Sequence, residues 1–585
     1  MREEEKRLAE ELLFSEGKKP SFSKRLFFGD FDAEQVLPFP GPKEEAQKVE
    51  SFLEKVKAFA KEKIDPDQID REAKIPDSVI QGLADLGVLG MTVPKEYGGL
   101  GMSQYTYCRV VEEIARRCGS TALFINVHQS IGLKTILLFG TPEQKKQWLP
   151  PLARGEIFTA FALTEPNAGS DANGIETRAV FDPEKKVYRI NGEKQWITNG
   201  SIAHVLTVMA KTEVETPRGR EDKVTAFLVT PDMPGFAVKD RSLEKVGTRG
   251  TWTANLTFNN LEVPEQNILG PMGGGLKVCL TVLDYGRTTF GAMCTGAAKE
   301  LVERAVDHSI NRHQFQRPLA SFALVKKKIA VMSALAYAME ATTYLTAGFV
   351  DDGAEDFMLE SAMLKVFNSD GLWQILYDTM QILGGRSFFT DQPYERMMRD
   401  ARLNMIGEGS NEVLRAFIGV VGMRDVGMEL KEGIDALKSF ADFGKVVELG
   451  GSLVKRMGRP KVPVHSQQLK KEVAMLEKAI REFSWMVVRL LSRYGEDIVE
   501  RQLQLNRISS IAMALYTTTA VLSKLDTDLE KVGGRSEALG NDVAVGKFYC
   551  HQAMTMIRRL LIAINRNPDE EIENLSDQIT GIRTQ

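Results

Sequence analysis

The chain has 585 residues, a length that suggests about four units of some 150 residues each, and 43% of them are hydrophobic, enough for a large core. With 75 basic against 79 acidic side chains and a net charge of -4, it carries no electrostatic footprint for nucleic acid. Five cysteines, at 108, 118, 279, 294 and 550, show no CxxC pair and no metal-ligand spacing, which argues against a disulfide framework or a metal site and for a reducing compartment.

The first residues, "MREEEKRLAEELLFSEGKK", are too acidic for a transit peptide and lack the apolar run of a signal peptide. No stretch reaches the roughly 18 consecutive apolar residues of a spanning helix. The expected location is the cytoplasm of a prokaryote, or the inner face of a membrane as a peripheral protein. Residues 1–42 end in "QVLPFPGPK", whose three prolines predict an extended arm. From 43 to 158 the apolar spacing is helical, as in "VESFLEKVKAFAKEKI", and predicts a first helical domain.

Between 159 and 275 the texture changes. Short β-branched runs, "KVYRING", "HVLTVMAKT" and "KVTAFLVTP", are separated by Gly, Pro and Asn-Gly turns and predict a β domain. Long helical patterns return over 276–425, as in "GAAKELVERAVDHSINRHQF", and predict packed antiparallel helices. A further helical domain is expected over 426–585. The fold class is therefore α+β, helical at both ends with a β domain between.

Standard signatures are missing: there is no GxGxxG after a strand, no Walker A, no HExxH and no GxSxG. "MGGGLKV" reads as a flexible lead into the helix that follows. The stretch "FALTEPNAGSDANG" (161–174) combines hydroxyls at Thr164 and Ser170 with small-residue turns whose N–H groups suit a polar, phosphate-bearing ligand, or serve only as a capped turn. In "NGEKQWITNG", Trp196 and Thr198 lie two apart and would share one strand face. "NMIGEGSNEVLR" sets Glu408 between Gly407 and Gly409, either as a solvated loop acid or as a carboxylate aimed into a pocket with free backbone N–H groups beside it.

Taken in order, "LADLGVLGMTVPKEYGGLGMS", "FGTPEQKKQWLPPLARGE", "ALTEPNAGSD", "KQWITNG", "EKVGTRGTWTANLTFNNLEVPEQNILG", "NRHQFQRPL", "QILGGRSFF" and "ERMMRDARLNMIGEGSNEVLR" closely resemble the acyl-CoA dehydrogenase family. "FFGDFDAEQVLPFP", "YLTAG" and "VERQLQLNRISSIAMALY" resemble its very-long-chain branch, which carries an added C-terminal helical domain. The resemblance implies the family fold: an N-terminal helical domain, a middle β-barrel or sandwich, a C-terminal four-helix bundle and the extra helical domain. It implies FAD as cofactor and oxidation of a long-chain acyl-CoA to the trans-2-enoyl-CoA in fatty acid β-oxidation. Electrons would pass to an electron-transfer flavoprotein, and the expected assembly is a homodimer.

By position, the resemblance makes Glu408 the base that removes the α-proton, its own N–H an oxyanion donor, and Gly409 the space for the thioester. Some members carry the base where this chain has Gly286. Phe161, Leu163, Thr164, Gly169, Ser170, Trp196 and Thr198 would meet the flavin and ribityl region. Arg312, Gln314, Phe315, Gln381, Gly384 and Gly385 would hold the adenosine diphosphate half, partly across a dimer interface, while Ser410 and Asn411 follow the base toward the flavin. Ser170, Asp284 and Arg287 match substrate contacts, the last two through a DxxR that touches CoA. No metal is implied.

The chain departs from the family pattern at Gly407, where an aromatic residue is common, and at Gln316, where glycine is usual. It also departs at Phe124 and Asn126, where the long-chain branch has small residues before His128. An oxidase, a dehydrogenase of an unusual acyl group, and a respiratory-complex assembly scaffold are the alternative functions. Finally, apolar residues at 434, 437, 440, 441, 447, 453, 454 and 457, with Lys438, Lys445, Lys455, Arg456 and Arg459, make 434–459 either a membrane-surface segment or a helix packed on its own domain.

Overall fold

The computed structural model describes residues 20–439 and 443–582. They form two compact units, one built on residues 41–410 and the other on residues 20–40 together with 411–582.

The chain opens with helix α1 (Phe22–Phe28), part of the second unit. The expected extended arm is thus helical over seven residues. Ser21 caps its N-terminus by accepting from Lys24 N, and Gly29 closes it at φ 79°, a conformation that glycine takes without a Cβ penalty. The prolines lie beyond this helix, so they do not prevent it.

The first unit begins with α2 (Ala46–Lys63), whose Val49, Leu53, Val56 and Ala60 are buried at the spacing of one helix face. Short helices α3 (Pro66–Glu72) and α4 (Asp77–Asp85) follow, then α5 (Gln104–Arg117), capped by Ser103. Next, α6 (Gly119–Asn126) runs into a π-helical turn over Val127–Leu133 and on into α7 (Lys134–Phe139). This stretch is apolar and long enough to cross a membrane, but 83% of its most apolar window lies inside the protein. Helix α8 (Pro142–Ala153) starts with a capping box between Thr141 and Gln144.

The β domain is one eight-stranded sheet. Its strands are β1 (Thr159–Ala162), β2 (Arg178–Asp182), β3 (Val187–Thr198), β4 (Val205–Thr216), β5 (Gly219–Val229), β6 (Phe236–Asp240), β7 (Thr253–Pro264) and β8 (Ile268–Leu269). The order is β6-β7-β3-β2-β4-β5-β8, with β1 parallel to β4. Ile190, Leu206, Phe227 and Leu256 are among the residues of its buried core.

Three long helices complete this unit: α9 (Gly275–Asn311), α10 (Ala323–Asp351) and α11 (Met358–Leu383), which pack pairwise. The short hairpin β9 (His313–Gln314) and β10 (Arg317–Pro318) joins α9 to α10. Its two-residue loop has Phe315 at φ 50° and Gln316 at φ 63°, as a type I′ turn requires. The position where glycine is usual therefore does take the left-handed conformation. Helix α12 (Tyr394–Leu403) leads to the loop that carries Glu408.

In the second unit α13 (Asn411–Ser439) is one continuous helix, so the boundary expected between 425 and 426 falls inside it. Gly422 is a site of close packing rather than a break: a Cβ there would stand 2.1 Å from the Phe27 ring. Helices α14 (Phe443–Met457), α15 (Lys470–Tyr494), α16 (Gln502–Lys531), α17 (Asp542–Asn565) and α18 (Asp569–Thr580) follow. α1 packs here, with the Phe27 and Phe483 rings 4.9 Å apart.

The segment 434–459 corrects one expectation. Arg456 is buried, its guanidinium donating to Phe27 O, lying over the Phe28 ring and standing 3.7 Å from Glu429. It therefore packs inward and is not a surface cation. Residues 440 and 441 lie outside the described residues.

Candidate active site

Glu408 sits in the loop between α12 and α13. Backbone hydrogen bonds from Ile406 and Gly407 to Leu403 O tighten the chain after α12. Glu408 then takes φ 56° and Gly409 φ 96°. A left-handed glutamate costs on the order of 1 kcal/mol or more, a strain that persists only where surrounding structure fixes it.

Several elements do so. Arg287, on α9, donates from Nε to Glu408 O at 3.3 Å, and the buried Lys365, on α11, donates from Nζ to Gly409 O at 2.7 Å. The carboxylate accepts from Asn126 Nδ2 at Oε1, 2.9 Å away, while Oε2 is covered and has no hydrogen-bond partner among the described residues. The residue as a whole remains half-buried, so its exposure belongs to other atoms than this oxygen.

That covered oxygen lies against α9 at Gly286. A Cβ there would stand 2.8 Å from Glu408 Oε2 and 2.7 Å from Ile131, on the π-helical turn. Burial pushes the Glu408 carboxyl up to about 7; the Arg287 and Lys365 charges and the Asn126 hydrogen bond act in the opposite direction. Burial likewise pushes the Lys365 ammonium down to about 8, with the Glu408 charge opposing. The site thus holds a carboxylate that changes protonation near neutrality, a common property of catalytic groups.

Asp284 and Arg287, expected to touch substrate, are both buried and paired at 3.1 Å, and Ser361 Oγ donates to Asp284 at 2.8 Å. Through the Arg287 bond to the Glu408 carbonyl, this pair buttresses the Glu408 loop. Phe124 packs edge-on against Phe158 and Trp252 and stacks on His128, within the core. A Cβ on Gly407 would meet only ordinary contacts with Leu403, so this glycine leaves room where an aromatic side chain is common.

The residues expected at the flavin range from buried to exposed. Phe161 lies buried in β1, Leu163 O accepts from Lys194 Nζ at 2.9 Å, and Thr164 O accepts from Gln195 N at 2.8 Å. A buried Lys194–Glu165 ion pair at 2.7 Å braces this turn from beneath. Gly169 and Ser170 are exposed, and a Cβ at 169 would meet nothing within 4 Å.

A β-bulge between Lys194 and Ile197 puts Trp196 at φ 60° and leaves it 61% exposed, with Thr198 half-buried beyond it. An open indole beside hydroxyls and bare backbone fits a planar cofactor such as FAD, since a Trp of this size is rarely left so bare. Arg312, Gln314, Phe315, Gln381, Gly384 and Gly385 are all exposed too, and Phe315 is 88% so. Their contacts within one chain are local: Gln314 donates to His313 O, and the Phe315 ring meets Phe322. Ser410 and Asn411 follow Gly409 directly, and Asn411 is the first residue of α13.

A strained glutamate with a covered carboxylate oxygen and, elsewhere on the same unit, an exposed indole on a β-bulge are features that a flavin-dependent dehydrogenase requires. Sequence models of the acyl-CoA dehydrogenase N-terminal, middle and C-terminal domains match residues 46–156, 160–261 and 273–422, and that of the ACAD9/ACADV C-terminal domain matches 467–583. The chain belongs to the acyl-CoA dehydrogenase family and has its fold, with the additional helical domain at the C-terminal end.

Among its relatives is the mitochondrial very long-chain specific acyl-CoA dehydrogenase of Homo sapiens, 35% identical over 558 residues, 94% of this chain and 85% of that one. The probable acyl-CoA dehydrogenase FadE10 of Mycobacterium tuberculosis is 32% identical over 606 residues, covering 99% and 91%. A Bacillus anthracis acyl-CoA dehydrogenase, whose crystal structure is complexed with FAD, superposes with a TM-score of 0.78 at 29% identity, covering 96% and 95%.

Proposed function

We propose that this chain is an FAD-dependent acyl-CoA dehydrogenase acting on long-chain acyl thioesters, with Glu408 as the base. The observation that carries the assignment is the Glu408 carboxylate itself, with one oxygen held by Asn126 and the other covered beside Gly286 with no hydrogen-bond partner among the described residues. In the reaction the α C–H bond breaks and its proton goes to Glu408. The β C–H bond breaks with its electron pair, and a trans C=C bond forms between the two carbons. Bound FAD would supply the acceptor for that hydride.

The α-proton of a thioester is weakly acidic, so the base must be both positioned and matched in pKa, and the developing enolate oxygen needs donors. Glu408 N–H supplies one such donor, and Gly409 leaves space for the thioester. Thr164, Ser170, Trp196 and Thr198, with Phe161, Leu163 and Gly169, hold the flavin and ribityl part. Arg312, Gln314, Phe315, Gln381, Gly384 and Gly385 would hold the diphosphate and adenosine, partly across the interface of a homodimer. Ser410 and Asn411 would follow the base toward the flavin, and the buried Asp284–Arg287 pair would act on the substrate side through the Glu408 carbonyl that Arg287 holds.

Likeness to the very long-chain relative supports the long-chain preference, and an electron-transfer flavoprotein is the proposed acceptor. The segment 434–459 is proposed to touch a membrane surface. Anaerobic mixing of the FAD-loaded protein with saturated acyl-CoAs of graded length tests the reading: long chains should bleach the flavin, and Glu408→Gln should slow bleaching at least about a hundredfold. Failure of every acyl-CoA to bleach the wild-type flavin would sink it.

A further inference from the structure

We infer that Asn126 is a positioning residue for the base: its amide holds Oε1 of Glu408, which leaves Oε2 as the oxygen that receives the substrate proton. The inference rests on Glu408 being the base, as proposed above, and assigns a division of labour between its two oxygens.

Asn126 is fully buried and is the last residue of α6, immediately before the π-helical turn. Such turns re-aim side chains within a helix and recur at functional sites. Here the donor reaches a partner 282 residues away in sequence, at 2.9 Å. The amide nitrogen faces the carboxylate, the orientation the ionised form requires because the amide oxygen there would set two acceptors against each other, and Asn126 Oδ1 is buried with no hydrogen-bond partner among the described residues.

The other charged and titratable groups around Glu408 leave its carboxylate oxygens unbonded. From α9, Arg287 donates to the Glu408 carbonyl and pairs with Asp284, while the Cys294 thiol is met by Asn404 Nδ2. From α11, Lys365 donates to the Gly409 carbonyl. From α5, Tyr107 shares its hydroxyl with Ser130 at 3.2 Å. Gly286, which faces Oε2, has no side chain. Asn126 is therefore the one side chain among the described residues that hydrogen-bonds the carboxylate.

The consequence is chemical as well as geometric. An amide cannot take up the proton, so Oε1 stays an acceptor through the cycle and proton transfer is confined to Oε2. A donor to the ionised form also favours that form, which opposes the upward push of burial. Loss of the donor should raise the pH at which the base becomes active.

The test is stopped-flow flavin reduction by saturating long-chain acyl-CoA, followed anaerobically from acid to alkaline pH with FAD-loaded full-length protein. Asn126→Ala should move the acid limb upward by about one pH unit and lower the alkaline plateau about tenfold, as loss of position does. Asn126→Ser, which keeps a donor, should recover part of both.

Asn126→Asp keeps the shape but sets an acid against the base, so its limb should move further upward. It also serves if the alanine variant fails to retain FAD. A limb that stays in place in these variants, whether or not the rate falls uniformly, overturns the positioning role. Glu408→Gln run in parallel separates the two levels: continued bleaching there defeats the base assignment itself, whereas a dead Glu408→Gln beside wild-type-like Asn126 variants defeats only the role of Asn126.

Discussion

Glu408 and Gly286 are complementary: the carboxylate of one lies where the side chain of the other would begin, and a Cβ at 286 would stand 2.8 Å from Oε2. Gly286 is helical and takes no left-handed φ, so an alanine there strains no backbone and acts only through this contact and the one with Ile131. Gly286→Ala should keep FAD and fold, yet slow flavin reduction about a hundredfold, the cost of displacing a reacting group by roughly 1 Å. Anaerobic stopped-flow mixing measures it. An unchanged rate would mean that the carboxylate swings away from Gly286 before it reacts.

The same burial makes Glu408 a liability for stability. Its pKa is pushed up to about 7, while a glutamate in an unfolded chain titrates near about 4.3. Between those values the native state binds the extra proton, so the Glu408 contribution to stability is fully present below the lower value and is lost as pH rises through the upper one. Glu408→Gln has no such loss. Its melting temperature should exceed that of the wild type at pH 8, by an amount equivalent to on the order of 3 kcal/mol, and the difference should shrink toward pH 5. Equal melting at both pH values would show that the carboxylate is not held in the buried state.

Much of this site was legible in the sequence, but only along the chain. The glycine-flanked Glu408, the Trp196 and Thr198 pair and the hydroxyl-rich turn at 164–170 are local patterns, and the structure brings out their strain and exposure. Asn126 stood out only as a departure in size; its hydrogen bond spans 282 residues, and no periodicity encodes that. Lys365 could have been suspected, being a lone cation in the apolar run of α11. The α1 helix was hidden by the prolines after it, although Ser21 and Gly29 are its ordinary start and stop signals. Arg456 shows the opposite error: a basic residue on a surface-like helix reads as solvated until the Phe27 carbonyl and the Phe28 ring appear beside it.

The proposed adenosine half of the flavin site supplies a third test. Arg312 caps the C-terminus of α9 and is exposed within one chain, as are its neighbours Gln314 and Phe315. A guanidinium set against a diphosphate forms charge-assisted bonds that an alanine cannot replace. Arg312→Ala should lose FAD during gel filtration, and the wild-type flavin should travel with a species larger than one chain. Full occupancy in the variant, or an FAD-loaded monomer, would contradict a shared site.

The last test concerns 434–459, where the structure shifts the balance from charge to apolar contact. Leu437, Val447, Val454 and Met457 are 60%, 56%, 67% and 66% exposed, more than a helix buried in its own domain would leave bare. Of the cations counted on this segment, Arg456 points inward, Lys445 lies 3.0 Å from Glu432, and Lys455 lies 3.4 Å from Asp30. Compensated lysines attract anionic lipid weakly, so vesicle binding should depend mainly on the apolar side chains and only modestly on salt. In flotation with anionic vesicles, replacing Val447, Val454 and Met457 by serine should abolish binding. Arg456→Ala should instead lower stability, since it removes a buried guanidinium and strands Phe27 O and Glu429. If the intact, folded protein fails to float even at low salt, the segment has no lipid contact and its exposed residues serve another surface.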